Sequence, residues 1–127
     1  MANIGIIGAG SWGIALAVLL HNNGHKITVW SILQDEIDML NVEREHKDKL
    51  PGVALPESIC YTTDLKQAIS GMDVLVLAVP SPFTRSTSKM MAQYVEEGQK
   101  IVNVAKGIEE ATLMTLTEII EEEIPQA

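Results

Sequence analysis

Short apolar runs and amphipathic segments alternate along the chain. Apolar runs rich in β-branched residues predict five strands, at residues 3–7, 26–30, 59–62, 74–79 and 99–104. Segments with helical spacing of apolar residues lie between and after them, at 12–20, 34–42, 64–71, beyond Pro82, and 112–122. Strands that alternate with helices form right-handed βαβ crossovers. The pattern therefore predicts an α/β fold built on a doubly wound parallel sheet.

Local signals mark where several of these elements begin and end. Gly24 follows the first helical segment and is typical of a helix C-terminus. Asp64 is expected to cap the third helix, with Gln67 as its capping-box partner. The stretch 43–57 is charged and then carries two prolines and a glycine, which predicts an irregular connection. The unbroken apolar run 74–79 suits a strand covered on both faces.

Composition narrows the classes of function. The 127 residues suffice for one domain, and the net charge of −8 disfavours binding to nucleic acid or to an anionic membrane. No apolar run is long enough to span a membrane and no signal peptide is visible, so the cytoplasm is the expected compartment. The single cysteine, Cys60, is expected to be a small buried hydrophobic residue. The His and Cys spacing matches no metal site.

A glycine loop follows the first predicted strand directly. Gly8, Gly10 and Gly13 form the pattern G-x-G-x-x-G between a strand and a helix. Gly8 permits a tight turn, Gly10 lets a pyrophosphate approach the backbone, and Gly13 lets the helix pack closely. The helix N-terminus then holds a dianion without a lysine, which suits an acidic protein. The loop predicts a dinucleotide site of Rossmann type; the alternative is a glycine turn without a ligand.

The end of the second strand leaves the choice between NAD and NADP open. An acid there binds the adenosine ribose of NAD, and an arginine favours the phosphate of NADP. The strand ends at Trp30-Ser31, the first acid is Asp35, and no arginine is present. Ser31 is able to bond either a hydroxyl or a phosphate.

Two further candidates follow the fourth and fifth strands, at the same carboxyl edge of the sheet. Pro80 ends the fourth strand, and Phe83 is a candidate to lie flat against a cofactor ring. Alternatively, Phe83 packs in the core, in a helical stripe that continues through Thr87, Met90, Met91 and Tyr94. Lys106 follows the fifth strand and is either an anion-binding lysine or a solvated surface residue.

Several motifs together resemble one enzyme family. They are Gly-Ala-Gly-Ser-Trp-Gly at 8–13 with Ala-Leu-Ala at 15–17, Leu-Pro-Gly at 50–52, Leu-Pro at 55–56, Val-Pro-Ser at 79–81, and Ala-Lys-Gly-Ile-Glu at 105–109. In order and spacing, they resemble the N-terminal domain of the bacterial type of NAD(P)-dependent glycerol-3-phosphate dehydrogenase. The likeness extends from residue 3 to about residue 120.

The resemblance implies an activity and a missing part. The family interconverts dihydroxyacetone phosphate and sn-glycerol 3-phosphate by hydride transfer, chiefly for glycerophospholipid synthesis. Its general acid–base lysine lies in a helical C-terminal domain. Residues 1–127 are therefore expected to be an incomplete N-terminal dinucleotide-binding domain, truncated before that domain and without activity of its own.

The resemblance also implies roles for individual residues. Ser11 and Trp12 match family residues that contact the dinucleotide, and Phe83 matches an aromatic near the nicotinamide. Ile32 matches a position beside the adenosine that is usually basic or aromatic, so it weakens a clamp for the NADP phosphate. Lys106 matches a lysine that binds substrate and cofactor.

Two other functions are consistent with the residues alone. One is a dehydrogenase for another hydroxy acid or a sugar nucleotide, with a helical second domain. The other is a stand-alone NAD(P)-sensing or protein-interaction module. A homo-oligomer is compatible with either function and with the glycerol-3-phosphate dehydrogenase family.

Overall fold

In the part of the chain that the structure describes, five parallel strands form one sheet in the order β3-β2-β1-β4-β5. The computed structural model describes residues 2–43, 58–79, 81–104 and 116–125. The strands are β1 Asn3–Ile7, β2 Lys26–Trp30, β3 Cys60–Thr62, β4 Val74–Leu77 and β5 Lys100–Asn103. The chain starts in the middle of the sheet, builds outward to β3, and then crosses back to β4 and β5. This order is that of a Rossmann fold and confirms the predicted doubly wound sheet.

Helices follow the strands and cover both faces of the sheet. They are α1 Ser11–Asn22, α2 Gln34–Glu43, α3 Leu65–Ile69, α4 Thr84–Met91 and α5 Leu116–Glu123, with a short 3₁₀ helix at Ser81–Phe83. Residues 112–115 of the last predicted helix lie outside the described residues. Within the described ranges, none of the helices has the length and apolar character needed to cross a bilayer.

Among the described residues, the core consists of two mainly aliphatic clusters separated by the sheet. Ile6 of β1 belongs to the cluster that contains Ile14 of α1 and Leu40 of α2. The next residue, Ile7, belongs to the other cluster, with Ile69 of α3 and other residues of β4, α4 and α5. Adjacent strand residues point to opposite faces, so β1 is buried on both sides.

The register brings the carboxyl ends of the central strands to one level. Ile7, the last residue of β1, pairs with Trp30 of β2 and with Leu77 of β4. The loops that follow these three strands therefore start side by side. In open α/β sheets, ligands bind outside this edge, at the point where the strand order reverses.

The structure differs from the sequence-based expectations in a few local details. Cys60 is exposed, not buried, because it is the first residue of β3, which lies at one edge of the sheet. Asp64 caps α3 as expected, by accepting from the Lys66 amide. The predicted capping box is wrong, because the Asp64 amide donates to the hydroxyl of Thr62, which in turn donates to Gln67.

Candidate functional site

Gly8 makes the turn that leaves β1. Its φ is +124°, a value that side chains rarely allow, and a Cβ would lie 2.8 Å from the carbonyl carbon of Ala78. The Gly8 amide donates to the carbonyl oxygen of Trp30 at 2.9 Å, which ties the turn to the end of β2. The turn is therefore fixed between β2 and β4, in the middle of the carboxyl edge.

Gly10 and Gly13 differ in the space around them. A Cβ on Gly13 would overlap the carbonyl oxygen of Gly8, so the helix packs directly on the loop. A Cβ on Gly10 would meet nothing within 4 Å. Because Gly10 also lines a cavity, the open space above it gives a ligand access to the backbone.

The N-terminus of α1 faces the same region. Gly10 is its N-cap, supplies no capping side chain, and is followed by a first turn without an acid. The first N–H groups of an α-helix have no partners within the helix and attract anions. Ser11 and Trp12 form the start of α1, but their side chains lie outside the described part of the structure.

A cavity of about 440 Å³ extends across the carboxyl edge. Its volume falls within the range of about 300–1,000 Å³ typical of small-molecule sites. The glycine loop forms its floor. Its described walls comprise the end of β2 and the start of α2 (Trp30, Ser31, Ile32, Leu33, Glu36), the residues after β4 (Ala78, Val79), and α4 with the preceding turn (Phe83, Ser86, Thr87, Met90). The lining is mainly apolar on both sides of the glycine loop, with a few polar groups.

Glu36 is a residue of this site that the sequence analysis missed. Its carboxylate accepts a hydrogen bond from the hydroxyl of Ser31 at 2.6 Å, and both residues line the cavity. Ser31 is 5% exposed, and its oxygen also accepts from the Leu33 amide. Glu36 is the third residue of α2, where an acidic side chain commonly reaches back toward the preceding loop. The position of Glu36 in the first turn of the predicted helix could therefore have identified it as a site residue.

The two exposed hydrophobic residues predicted for the site both line the cavity. Ile32 is 66% exposed, just beyond β2. Phe83 is 57% exposed and ends the 3₁₀ helix that precedes α4. The alternative that Phe83 packs in the core is therefore wrong. Phe83 follows β4 and the Ser31–Glu36 pair follows β2, so they belong to elements on opposite sides of β1.

Two predicted site residues, Pro80 and Lys106, lie outside the described residues. Among the other candidates, the structure brings Gly8, Gly10, Ser31, Ile32 and Phe83 to one cavity. Gly13 supports the loop from below.

The shape of the glycine loop and of the cavity fits a bound dinucleotide. The loop is closed by backbone at Gly8 and Gly13 and is open at Gly10, where the cavity begins. The α1 N-terminus would hold a pyrophosphate, and the two sides of the cavity would each hold a nucleoside.

Comparison with known proteins agrees with this geometry. The family model described as NAD-dependent glycerol-3-phosphate dehydrogenase N-terminus matches residues 3–127. The chain is 61% identical over 127 residues to glycerol-3-phosphate dehydrogenase [NAD(P)+] of Agathobacter rectalis, covering 100% of this chain and 38% of that protein. It is 52% identical over 126 residues to the Fusobacterium nucleatum enzyme of the same name, covering 99% of this chain and 38% of that protein.

A solved structure shares the fold as well. Glycerol-3-phosphate dehydrogenase of Coxiella burnetii superimposes with a TM-score of 0.91 at 30% identity, covering 98% of this chain and 38% of that one. This chain therefore spans well under half the length of the relatives it matches. Its match to the family model over nearly every residue confirms the resemblance found in the sequence. The chain belongs to the family of NAD-dependent glycerol-3-phosphate dehydrogenase N-terminal domains.

Proposed function

We propose that this chain is the dinucleotide-binding domain of a glycerol-3-phosphate dehydrogenase and binds NAD or NADP in the cavity above Gly10. The observation that supports this most is the contrast within the glycine loop. Backbone occupies the Cβ positions of Gly8 and Gly13, whereas the position above Gly10 is open. A loop shaped only by internal packing has no need for this opening.

The activity of the whole protein follows as part of the same proposal. The enzyme interconverts dihydroxyacetone phosphate and sn-glycerol 3-phosphate, a reaction for which a bound dinucleotide would supply or accept the hydride. The names of the relatives support this substrate. Hydride transfer requires the cofactor, the carbonyl and a proton donor to be held together. This chain contributes the cofactor site and, through Lys106, part of the substrate site.

Calorimetric titration with NADH and NADPH tests the proposal. We expect the chain to bind at least one of them, and Gly10→Val to abolish that binding, because the valine side chain enters the open space above the loop. Ala15→Val is the matched control, since it adds the same side-chain type at an exposed position of α1 away from the cavity. Binding by Gly10→Val as tight as that of the parent would overturn the proposal.

The proposal also predicts that this chain by itself lacks the catalytic activity of the whole enzyme. The 127-residue chain, saturated with NADH, is expected to reduce dihydroxyacetone phosphate at a negligible rate. Rapid turnover by this chain alone would contradict the assignment of the proton donor to another domain.

A further inference from the structure

Glu36 is held in the cavity by a short hydrogen bond. The 2.6 Å distance between the Ser31 hydroxyl and the Glu36 carboxylate is typical of a charge-assisted bond. Ser31 is itself fixed, because its amide donates to the Thr62 carbonyl oxygen of β3 at 3.1 Å. The carboxylate is therefore oriented by a buried side chain at the end of β2.

Glu36 also places a carboxylate on its side of the cavity. Of the described residues that line the cavity, Glu36 alone carries a formal charge, and neither lysine, arginine nor histidine is among them. The β2 side of a Rossmann site receives the adenosine ribose. On that side, a free ribose diol donates hydrogen bonds to a carboxylate, whereas a 2′-phosphate brings like charge close to it.

We infer that Glu36 is the residue that selects NAD over NADP in this chain, with Ser31 as its positioning residue. This inference rests on the proposed dinucleotide site. The end of β2 itself, Trp30-Ser31, carries no acid. The first turn of α2 supplies the acid instead, and Ser31 connects the two elements.

The test measures the dissociation constants of NADH and NADPH by calorimetry, without turnover. The parent is expected to bind NADH about tenfold or more tightly than NADPH, as repulsion from one close carboxylate requires. Glu36→Gln keeps the side-chain shape and an acceptor for Ser31 but removes the charge. It should tighten NADPH binding and reduce the ratio of the two constants to about threefold or less, with NADH affinity changed by less than about threefold.

Asp35→Asn is the matched control. Asp35 is the preceding residue of α2, is exposed and does not line the cavity, so the variant removes one charge from the same helical turn. The ratio of the NADPH dissociation constant to the NADH dissociation constant should stay at the parent value. Ser31→Ala keeps the Glu36 charge but removes its hydrogen-bond donor, and it should lower the ratio by a smaller factor than Glu36→Gln. An unchanged ratio in Ser31→Ala would remove the positioning role.

Two results would overturn the selection by Glu36: equal binding of NADH and NADPH by the parent, or a ratio that Glu36→Gln leaves unchanged. A parent that binds neither dinucleotide would instead contradict the proposed function. Thermal unfolding of each variant, measured by circular dichroism, verifies that changes in affinity occur in folded protein.

Discussion

Gly13 lies so close to Gly8 that a Cβ on Gly13 would overlap the Gly8 carbonyl oxygen. Gly8 is in turn enclosed by the backbone of Ala78 and Val79, with a φ that excludes most side chains. The first helix thus packs on the end of β1 through a close backbone contact, in addition to the side-chain packing of Ile14 against Ile6.

Gly13→Ala is expected to destabilise the fold. Alanine is favoured over glycine in a helix by about 1 kcal/mol, but forcing a methyl group into a packed contact commonly costs about 1–3 kcal/mol. Because the contacted atom is a backbone oxygen, which cannot move aside as a flexible side chain can, the steric cost should dominate. Urea unfolding should give a net loss of about 1 kcal/mol or more in the free energy of unfolding.

Gly10→Ala is the matched control for this prediction. Its Cβ meets nothing, and the residue has φ −76° and ψ −172°, a conformation open to any residue. Its free energy of unfolding should stay within about 0.5 kcal/mol of the parent value. A Gly13→Ala variant as stable as Gly10→Ala would show that the close contact does not govern the loop.

Phe83→Ala should separate binding from stability. Phe83 is 57% exposed and lines the cavity, so removal of its ring should change the free energy of unfolding by less than about 0.5 kcal/mol. Loss of an aromatic contact should weaken dinucleotide binding by about 2–10-fold, as its energy of about 0.5–1.5 kcal/mol implies. Titration measures the affinity, and Phe83→Tyr, which keeps the ring, should bind like the parent. A large loss of stability would mean that Phe83 packs internally.

The sequence predicted the fold well because the strands are short, apolar and separated by clear turn signals. The predicted ends of β1 and β2 agree with the observed ones. The predicted fourth strand was longer than β4, which ends at Leu77. Ala78 still donates from its amide to the Ile7 carbonyl oxygen at 2.9 Å, but Ala78 and Val79 already line the cavity. An apolar run in the sequence predicts burial and not the end of a strand. Val79 is still buried and Ala78 is partly buried, although the strand has ended.

The candidate site was predicted less completely, since its walls come from helix starts as well as strand ends. Glu36 is five residues beyond Ser31, and only the turn between β2 and α2 brings their side chains together. Phe83 fitted a helical stripe by spacing, but the 3₁₀ helix before α4 directs it outward. Helical spacing could not reveal a change of helix type at that point.

Arg85→Met should weaken the contact between α4 and α5. The Arg85 guanidinium lies 2.7 Å from the carboxylates of both Glu122 and Glu123, and its side chain is only partly exposed. We expect a loss of about 1 kcal/mol in the free energy of unfolding, smaller at high salt because screening weakens the ion pairs. Lys89→Met, an exposed position on the same helix, is the control. Equal effects of the two substitutions, or an effect insensitive to salt, would contradict this role of the ion pairs.

Gln99→Leu should be the most destabilising of these substitutions. Gln99 is 8% exposed, and its amide group donates to the carbonyl oxygens of Ile69 and Met72 at 2.8 and 2.9 Å. Its side-chain oxygen accepts from the Glu96 amide at 2.7 Å. Leucine has a similar size but leaves these backbone groups without their partner. An unsatisfied buried group costs about 1–3 kcal/mol, so the total loss should be about 2–4 kcal/mol in urea unfolding.

Gln34→Leu provides the comparison that isolates burial. The Gln34 side chain also makes two hydrogen bonds: it donates to the Asp38 carboxylate and accepts from the Thr63 hydroxyl. Because Gln34 is exposed, water replaces these bonds when they are lost. Its free energy of unfolding should change by less than about 1 kcal/mol. If the two variants were equally stable, the segment before β5 would not depend on Gln99 for its attachment to the end of α3. If Gln99→Leu alone is destabilised, the buried Gln99 amide joins the segment before β5 to the end of α3. Gln99→Glu should then also be unstable, because a carboxylate lacks the two N–H donors.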